Sequence, residues 1–596
     1  MLSRRKLFSM LLMMTVLFLL YMLTWIYHES VNDYNTNDYA AEKNTIRRSD
    51  IQEIDAGADA EDRQTVFIGQ KESGMGSVVA QWCTYRKRPL FCFPSVHEYA
   101  AQTGVEAKVL CIAPEGLEEP SDVDLLAALD TRDMVIVFGG LPEMELVKES
   151  PELQRLLGIE KIRSEETKLS GIYLYEGFLL GGESLYRTDM GEEFGRGLNL
   201  TIPWYQLGDG TKTYLTGLTG TTEEDAGQSE RPSILWRNTV GKATVFAVNG
   251  DYLSNETGLG LLDAMMSESR SYVLYPIVNA QNLTVADYPS FASENEEKLR
   301  QIYANSPKML LQNIVWPGLI SVSEQSGFRM TCFLTPQLSY SDGAEAKADD
   351  LIYYMRQMKE RQGEMGWSAR SKDSVAVQDK WSRDKTFFEN AESSYVYTAA
   401  CASGEEARQC LALAQTDGLL ELRTLTGIAD EDDFLLSFVS KDVTYQGITH
   451  KADQYGFLDD LKNRSIQTAL GYTNIFLDMS CVTWPETEED RWENYSRRIS
   501  GNIGTWWKPY SCFDKTTLTE SDRRLRSFLA LDYTDSREKD VIRLQVKNRR
   551  GTVSFLLRTH DKNVKSVSGG TAAKIEKDVW LLTVRNDEVQ IELGNN

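Results

Sequence analysis

The chain has 596 residues, of which 42% are hydrophobic and 10% aromatic, and this globular composition excludes disorder throughout its length. Its length predicts two to four domains, because single hydrophobic cores rarely extend beyond about 300 residues. The net charge of -24 excludes nucleic acid as a partner, since binding to phosphate backbones depends on clustered lysine and arginine side chains. An acidic surface fits either a cationic partner, such as a partly deacetylated amino-sugar polymer, or simple solubility.

The first predicted element is a transmembrane helix at residues 7–27, which follows a short cytoplasmic tail at residues 1–6. Leu7 to Tyr27 is a run of 21 residues without a charge, long enough to cross about 30 Å of bilayer. Basic residues precede the run, so the positive-inside rule places the N-terminus in the cytoplasm. A cleaved signal peptide is the alternative, but no small-residue cleavage site follows the run. The sequence therefore predicts a single-pass protein of the cell membrane with an extracytoplasmic bulk.

Residues 28–62 are polar and acidic without apolar periodicity, and they predict a flexible linker. In residues 63–270, short apolar strands alternate with amphipathic helices, which predicts a mostly parallel sheet covered on both faces. The predicted strands are Thr65–Ile68, Lys108–Ala113, Met134–Phe138 and Thr244–Val248.

The same βα alternation continues through residues 271–535 and predicts a distorted (β/α) barrel. Residues 536–596 instead alternate apolar and polar side chains between Asn, Asp and Gly turns, which predicts an antiparallel β-sandwich. The strands predicted for the barrel are Tyr272–Val278, Met330–Leu334, Gly363–Ser368, Tyr395–Ala399 and Ile475–Met479.

Four short motifs in the barrel carry a family resemblance. They are Asn279 followed by Ala286-Asp287-Tyr288-Pro289, Val315-Trp316-Pro317, Gly327-Phe328-Arg329-Met330-Thr331-Cys332-Phe333-Leu334, and Glu364-Met365-Gly366-Trp367-Ser368. The chain resembles an uncharacterised family of membrane-anchored, polysaccharide-deacetylase-like proteins linked to Pel-type exopolysaccharide synthesis in Gram-positive bacteria. In domain order the resemblance runs from about residue 64 to residue 593, with a flavodoxin-like, glutamine-amidotransferase-like domain ahead of the barrel.

The resemblance implies a hydrolytic site whose key residues are missing here. Deacetylases use a divalent metal held by one Asp and two His, while a second Asp takes the proton from water. Asp287 keeps the ligand position, but Ala286 replaces the base, and Ser368 and Lys372 stand where the two histidines would be. The chain has only four histidines and no His-x₃-His, so we expect no metal, no cofactor and no deacetylase activity. An amidotransferase nucleophile is not expected either, because Cys111 lies inside a predicted strand.

Carboxylates and aromatic residues remain as candidate site residues. Asp287, Glu364 and Asp478 are each predicted at or near the end of a strand, where barrels display their functional groups. Asn279, Asp287, Tyr288 and Trp367 are the candidate sugar-binding residues, with the two aromatic rings available for stacking. Three of the candidate residues also have a purely structural interpretation. Asp287 could cap a turn, Glu364 could pair with a nearby arginine, and Trp367 could pack in the core.

The leading functional hypothesis is a catalytically inactive, membrane-anchored protein that binds or guides a secreted, amino-sugar-containing polysaccharide, within a possible exopolysaccharide synthase complex. The alternative is a carboxylate-based glycoside hydrolase or lyase that uses two of Asp287, Glu364 and Asp478. A third hypothesis is a structural envelope protein without a sugar ligand.

Overall fold

The computed structural model describes residues 4–595, apart from 41, 43–44, 52–62, 103, 118–119, 191–194, 196, 199, 221–229, 414–417 and 429–433. Over this part, the chain is a mixed α/β protein with two sheets of nine strands, two of four strands and one of two. The prediction of an α/β fold is confirmed. The end of the predicted linker, residues 52–62, lies outside the described residues.

The N-terminal part consists of one long helix followed by alternating strands and helices. Its helices are α1 Arg4–Tyr34, α2 Gly74–Arg86, α3 Val96–Ala101, α4 Pro120–Ala127, α5 Met144–Glu149, α6 Pro151–Leu157 and α7 Thr257–Ser269. Its strands are β1 Thr65–Ile68, β2 Leu90–Phe93, β3 Val109–Ile112, β4 Val135–Phe138, β5 Ile159–Lys168, β6 Gly171–Leu174, β7 Ser184–Arg187, β8 Thr201–Leu207, β9 Lys212–Leu218, β10 Ser233–Val240 and β11 Ala243–Val248. The four strands predicted here all form, as β1, β3, β4 and β11.

The first nine-stranded sheet has the order β2-β1-β3-β4-β11-β10-β9-β6-β7. Its first five strands run parallel, whereas β10, β9, β6 and β7 extend it with antiparallel pairs. The parallel strands are fully buried apolar segments, as expected for a sheet covered on both faces. Strand order reverses at β1, so a crevice is expected at the carboxyl ends of β1 and β3.

The central part is built from βα units. Its strands are β12 Tyr272–Ile277, β13 Ala280–Ser290, β14 Met330–Thr335, β15 Glu364–Ser368, β16 Tyr397–Cys401, β17 Leu420–Gly427, β18 Leu436–Phe438, β19 Thr444–Gly447, β20 His450–Lys451, β21 Tyr472–Asp478 and β22 Asp532–Glu538. Its helices are α8 Glu296–Tyr303, α9 Pro307–Leu310, α10 Trp316–Ser326, α11 Leu351–Glu360, α12 Val377–Asn390, α13 Gly404–Leu413, α14 Phe457–Leu470, α15 Ser480–Thr483, α16 Trp492–Trp506 and α17 Leu518–Ala530.

The second nine-stranded sheet has the open order β18-β19-β17-β16-β15-β14-β13-β21-β20, so the strand pairings of the described residues close no barrel. All neighbouring strands run parallel except β18 and β19. Only Ile448 and Thr449 separate β19 from β20, so this segment pairs first with β17 and then with β21. The carboxyl ends of β13, β14, β15, β16 and β21 therefore lie at one edge.

The strand predicted to open the barrel forms as β12, but it belongs to another sheet. It pairs antiparallel with β24 (Val553–Thr559) in the C-terminal sandwich. Strand β13 instead occupies the centre of the second nine-stranded sheet, between β14 and β21. Its polar residues Gln281, Asn282 and Thr284 are fully buried and hydrogen-bond to side chains of neighbouring elements.

The C-terminal part forms two four-stranded antiparallel sheets, with the orders β12-β24-β27-β26 and β22-β23-β28-β25. The two sheets share one apolar core, which includes Phe555, Leu557, Ile542 and Ile591. The remaining strands are β23 Val541–Lys547, β25 Asn563–Ser568, β26 Gly570–Glu576, β27 Val579–Val584 and β28 Glu588–Gly594. Two packed sheets of this kind are the predicted β-sandwich, completed by β12 and β22 from earlier in the chain.

The prediction of a transmembrane span at residues 7–27 is wrong, and with it the single-pass membrane localisation. Helix α1 covers this run, but no helix in the described part of the chain is long and apolar enough to cross a membrane. Leu, Met and Phe are compatible with a helix in any environment, so helix formation in an apolar run does not by itself imply a bilayer.

Described residues in the middle of the predicted linker pack against the folded protein instead of extending into solvent. Between residues 35 and 51, the buried Tyr39 hydroxyl donates to Asp522, and Arg526 donates to the carbonyl of Ile46 at 2.7 Å. The amide of Asn37 donates to the carbonyl of Val396 at 2.8 Å. Polar composition misled the prediction here, because these polar groups find partners on α17 and near β16 instead of in solvent.

Candidate functional site

Four polar side chains meet at the carboxyl edge of the second nine-stranded sheet. Asp287 lies near the end of β13, Ser368 ends β15, Arg370 follows β15, and Asp478 ends β21. The pairing of β13 with β21 places Ala286 opposite Asp478, and the register with β14 is interrupted after Ala286. Asp287 there adopts a positive φ of 60°, a conformation that is uncommon outside glycine and is adopted mainly by Asn, Asp and His.

Arg370 bridges the two carboxylates. Its Nη2 donates to Asp478 Oδ2 at 2.7 Å, and its Nη1 lies 2.9 Å from Asp287 Oδ2 without hydrogen-bond alignment. The Ser368 hydroxyl donates to Asp287 Oδ1 at 2.6 Å. Ser480 donates to Asp478 Oδ1 through its hydroxyl at 2.6 Å and its amide at 3.1 Å. The cluster is a charge-assisted network around one guanidinium.

The two carboxylates differ in exposure and in acidity. The Asp287 side chain is 1% exposed, whereas those of Arg370 and Asp478 are 27% and 28% exposed. Burial raises the pKa of Asp287, although Arg370 acts in the opposite direction. Burial also raises the pKa of Asp478, but Arg370 and the hydrogen bonds from Ser480 outweigh it, so the net shift is downward. Where two carboxylates share one cation, the less buried one keeps its charge more easily.

The position expected to hold the hydrolytic base is apolar. Ala286 is fully buried and packs in a small cluster with Phe333, Cys401, Phe476 and Leu518. A carboxylate there would have to be desolvated among apolar groups, at a cost of several kcal/mol. The apolar packing around Ala286 therefore disfavours a carboxylate base at this position.

The two positions expected to replace the metal-binding histidines behave differently. Ser368 reaches Asp287, but the Lys372 ammonium lies 5.1 Å from the Trp484 ring centroid, and its amide donates to Leu338. Arg370, two residues after Ser368, is the residue that reaches both carboxylates. Arg370 was not predicted, because the family pattern places its two ligands at positions 368 and 372 and the contact of Arg370 with Asp478 depends on the pairing of distant strands.

The donor set does not fit the metal that the resemblance implies. A divalent cation next to Asp287 would face the Arg370 guanidinium, a permanent positive charge with no lone pair to donate. Burial lowers the pKa of Arg370, but the attraction of Asp287 and Asp478 outweighs burial, so the net shift of the pKa is upward. The guanidinium is therefore protonated at all ordinary pH. Within the described residues, no group of three or more His, Cys, Asp or Glu side chains is placed to hold a metal ion.

Glu364 and Asn279 lie away from this cluster, at the opposite edge of the sheet. Glu364 is the first residue of β15, and its carboxylate accepts from the amide of Thr519 at 3.0 Å and from the Thr519 hydroxyl. Asn279 precedes β13 and exchanges hydrogen bonds with Asp514 at 3.2 and 3.0 Å. Of the three predicted carboxylates, only Asp287 and Asp478 are brought together.

The two predicted aromatic residues are in the core. The Tyr288 hydroxyl donates to the carbonyl of Leu311 at 2.8 Å, and its ring stacks on Trp316. The Trp367 indole donates to Asp384 at 2.8 Å. Both side chains are buried, and neither ring has a face open to a sugar.

A family model described as an uncharacterised protein conserved in bacteria (DUF2194) matches residues 221–407. This range includes Asp287, Ser368 and Arg370, while residues 221–229 lie outside the described part. No curated protein matches the chain.

Several solved structures align with the chain at low identity. A structure described as Agd3, a novel carbohydrate deacetylase, aligns with 8% identity over 89% of this chain and 98% of its own, with a TM-score of 0.46. A putative ThuA-like protein from Bacteroides uniformis aligns with 11% identity over 36% of this chain and 94% of its own, with a TM-score of 0.23. A β-galactosidase from Bacillus circulans sp. alkalophilus aligns with 12% identity over 36% of this chain and 34% of its own, also with a TM-score of 0.23.

Proposed function

We propose that this chain is a carbohydrate-binding protein with a deacetylase-like sheet, in which a protein cation replaces the catalytic metal. The observation that carries the proposal is the Arg370 guanidinium, held between Asp287 and Asp478 at the carboxyl edge of the sheet. The motifs around Asp287 and Trp367 support the deacetylase-like ancestry, and Ala286 and Arg370 mark the departure from catalysis.

The partly exposed half of the network supplies the binding groups. The side chains of Arg370 and Asp478 are about one quarter exposed, so part of each is accessible to solvent, although Arg370 Nη1 is buried. A guanidinium has five N–H donors and a carboxylate about four acceptor positions, a combination that matches the paired hydroxyls of a sugar ring. Asp287 and Ser368 are buried and fix the position of the guanidinium. Charged groups that are already held in position lose less conformational entropy on binding than mobile side chains do, and this favours ligand binding.

The same arrangement opposes amide hydrolysis. Deacetylation needs a polarised water and a base that removes its proton. A guanidinium cannot ligate water, and the base position is the methyl group of Ala286. The Asp287 carboxylate is covered by Ser368 and Arg370, so it cannot reach a substrate without breaking both contacts.

Binding and catalysis are tested together on the full-length chain. We expect calorimetry to detect binding of a glucosamine hexasaccharide or its N-acetylated form, and Asp478→Asn to weaken it about tenfold, because a charge-assisted hydrogen bond contributes about 1.5–3 kcal/mol. Arg408→Met is the matched control, since Arg408 lies on α13 and is 70% exposed. We expect no acetate release from the N-acetylated hexasaccharide with added zinc, cobalt or manganese.

Two results would overturn the proposal. The first is acetate release that disappears in Asp287→Asn, which would identify an active deacetylase. The second is a flat binding curve for both hexasaccharides, which would favour a structural role without a sugar ligand. Arg370→Lys keeps the charge but loses the bidentate geometry, and it should weaken binding without unfolding the sheet.

The narrower role, guiding a secreted polysaccharide within an exopolysaccharide synthase complex, rests on the sequence resemblance alone. Retention of a Pel-type polymer on the immobilised chain, compared with the Asp478→Asn variant, tests it. No observation favours a glycosidase, which needs two carboxylates about 5–10 Å apart on either side of one glycosidic bond. Here Arg370 lies between Asp287 and Asp478, and Glu364 is at the other edge of the sheet.

A further inference from the structure

A second candidate site lies in the N-terminal part, at the carboxyl edge of the first nine-stranded sheet. The loops that follow β1, β3, β4 and β11 border a cavity of about 470 Å³ there. Parallel sheets of this order bind ligands at this edge, where strand order reverses, and small-molecule sites commonly occupy about 300–1,000 Å³. Both its position and its size thus fit a small-molecule site.

Glycines shape the floor of this cavity. Gly139 and Gly140 follow β4, and a Cβ atom on Gly140 would lie 2.7 Å from the Pro114 ring. A Cβ atom on Gly139 would lie 2.2 Å from the Met75 side chain. Gly250, which follows β11, adopts a φ of 141°, a value that side-chain-bearing residues rarely adopt. Larger residues are therefore disfavoured at Gly140 and Gly250, whereas at Gly139 the flexible Met75 side chain would have to move.

One buried hydroxyl in the cavity wall has unused hydrogen-bonding capacity. Tyr205 lies on β8 and is 2% exposed. Its hydroxyl contacts the Met144 sulfur at 3.8 Å, and a thioether is a weak acceptor. Buried phenol hydroxyls usually have a strong partner, so this one points to a ligand that donates to it or accepts from it.

The charges around the cavity define the ligand further. Glu115 and Asp251 are exposed residues of the lining, and the described residues of the lining include no lysine, arginine or histidine. Asp251 accepts from the Ser254 hydroxyl, and Glu115 accepts weakly from the amide of Gln70 at 3.4 Å. Two carboxylates with no cation among the described lining residues repel phosphate and sulfate, but they accept hydrogen bonds from hydroxyl and ammonium groups.

We propose that this crevice is a second ligand site, which binds a hydroxylated amine of one or two sugar rings through Glu115, Asp251 and Tyr205. The site does not depend on the cluster around Arg370, because it belongs to a different sheet. The chain would then have two sites: this crevice for a short ligand, and the carboxyl edge of the second nine-stranded sheet for a polymer.

Methionine methyl groups distinguish the two sites in one experiment. Met75 and Met144 line the crevice, whereas Met479 follows Asp478 at the carboxyl edge of the second nine-stranded sheet. In the full-length chain with ¹³C-labelled methionine methyl groups, we expect a glucosamine disaccharide to shift the Met75 and Met144 signals. The N-acetylated disaccharide and inorganic phosphate should shift them less at equal concentration.

Variants complete the test. Glu115→Gln and Asp251→Asn should each raise the dissociation constant for the glucosamine disaccharide about fivefold to tenfold, since each removes one charge-assisted hydrogen bond. Tyr205→Phe should weaken both disaccharides by similar factors. Glu98→Gln and Asp209→Asn are matched controls in the same part of the chain, and they should leave the shifts unchanged.

The inference would be overturned by unchanged Met75 and Met144 signals at saturating disaccharide, or by equal shifts in all variants. Tighter binding of phosphate than of the disaccharide would also overturn it, in favour of an anion site at the start of α2. Shifts confined to Met479 would reject the crevice while leaving the proposed polymer site intact.

Discussion

Removal of the Arg370 charge should destabilise the sheet edge in a pH-dependent way. Arg370→Met keeps much of the side-chain volume but leaves the Asp287 carboxylate, 1% exposed, with Ser368 as its hydrogen-bond donor. Breaking a buried ion pair costs about 3–5 kcal/mol, and we expect about 3 kcal/mol because Arg370 is 27% exposed and water can partly replace it.

The sign of the pH dependence follows from the acidity of Asp287. Burial already raises its pKa, and loss of the guanidinium should raise it further. A carboxyl group with a raised pKa in the folded state is stabilising below its unfolded pKa, and this contribution is lost as pH rises through the folded pKa. The penalty in Arg370→Met should therefore be largest at pH 8 and shrink toward pH 5, by up to about 1.4 kcal/mol per pH unit.

Hydrogen exchange followed by mass spectrometry measures this effect locally. Peptides from β13 should exchange about a hundredfold faster in Arg370→Met than in the wild type at pH 8, after correction for intrinsic rates. In the Asp287→Asn background the same substitution should cost much less, because no buried charge is left unpaired. Arg408→Met is the surface control. Protection of β13 within threefold of the wild type at pH 8, or an equal loss of protection at pH 5 and pH 8, would refute the reasoning.

Two further predictions concern other buried groups. Burial raises the pKa of Glu294 to about 7 against opposing hydrogen bonds from the amides of Leu338 and Ser339, so stability should fall by up to about 3 kcal/mol as pH rises from 4.5 through 7. Glu294→Gln should flatten this part of a urea-unfolding pH profile, and an unchanged profile would contradict the prediction. Tyr39→Phe removes the hydroxyl that donates to Asp522 and should cost about 1–3 kcal/mol of docking free energy. Trypsin cleavage after residues 47 and 48 should then accelerate at least several-fold, and an unchanged cleavage rate would argue against docking.

The strands that could be predicted from the sequence are those formed by continuous apolar segments. Strands β1, β3 and β4 are continuous apolar runs, because both of their faces are buried in a parallel sheet. Strand β13 was missed, although it is central, because Gln281, Asn282 and Thr284 interrupt its apolar pattern. Their burial depends on partners from distant segments, and no local pattern indicates those partners.

The candidate site was recoverable only in part for a similar reason. Asp478 could be identified from its position near the end of a predicted strand, and Ala286 and Asp287 from their places in the motif. Arg370 could not, since its role depends on β13 and β21 being neighbours across more than a hundred residues of chain. Glu364 was misplaced by one strand length: it starts β15 rather than ending it, so its side chain belongs to the opposite edge.

The guanidinium between Asp287 and Asp478 makes the site independent of metal supply. A bound zinc ion can be lost to a chelator or exchanged for another metal, whereas Arg370 is present in every folded molecule at a fixed ratio of one. Sugar binding at this edge should consequently be insensitive to EDTA and to the metal content of the growth medium. Engineering metal-dependent hydrolysis into this edge would take several simultaneous changes. A base at position 286 and histidines near Ser368 would not suffice while Arg370 occupied the space between the carboxylates.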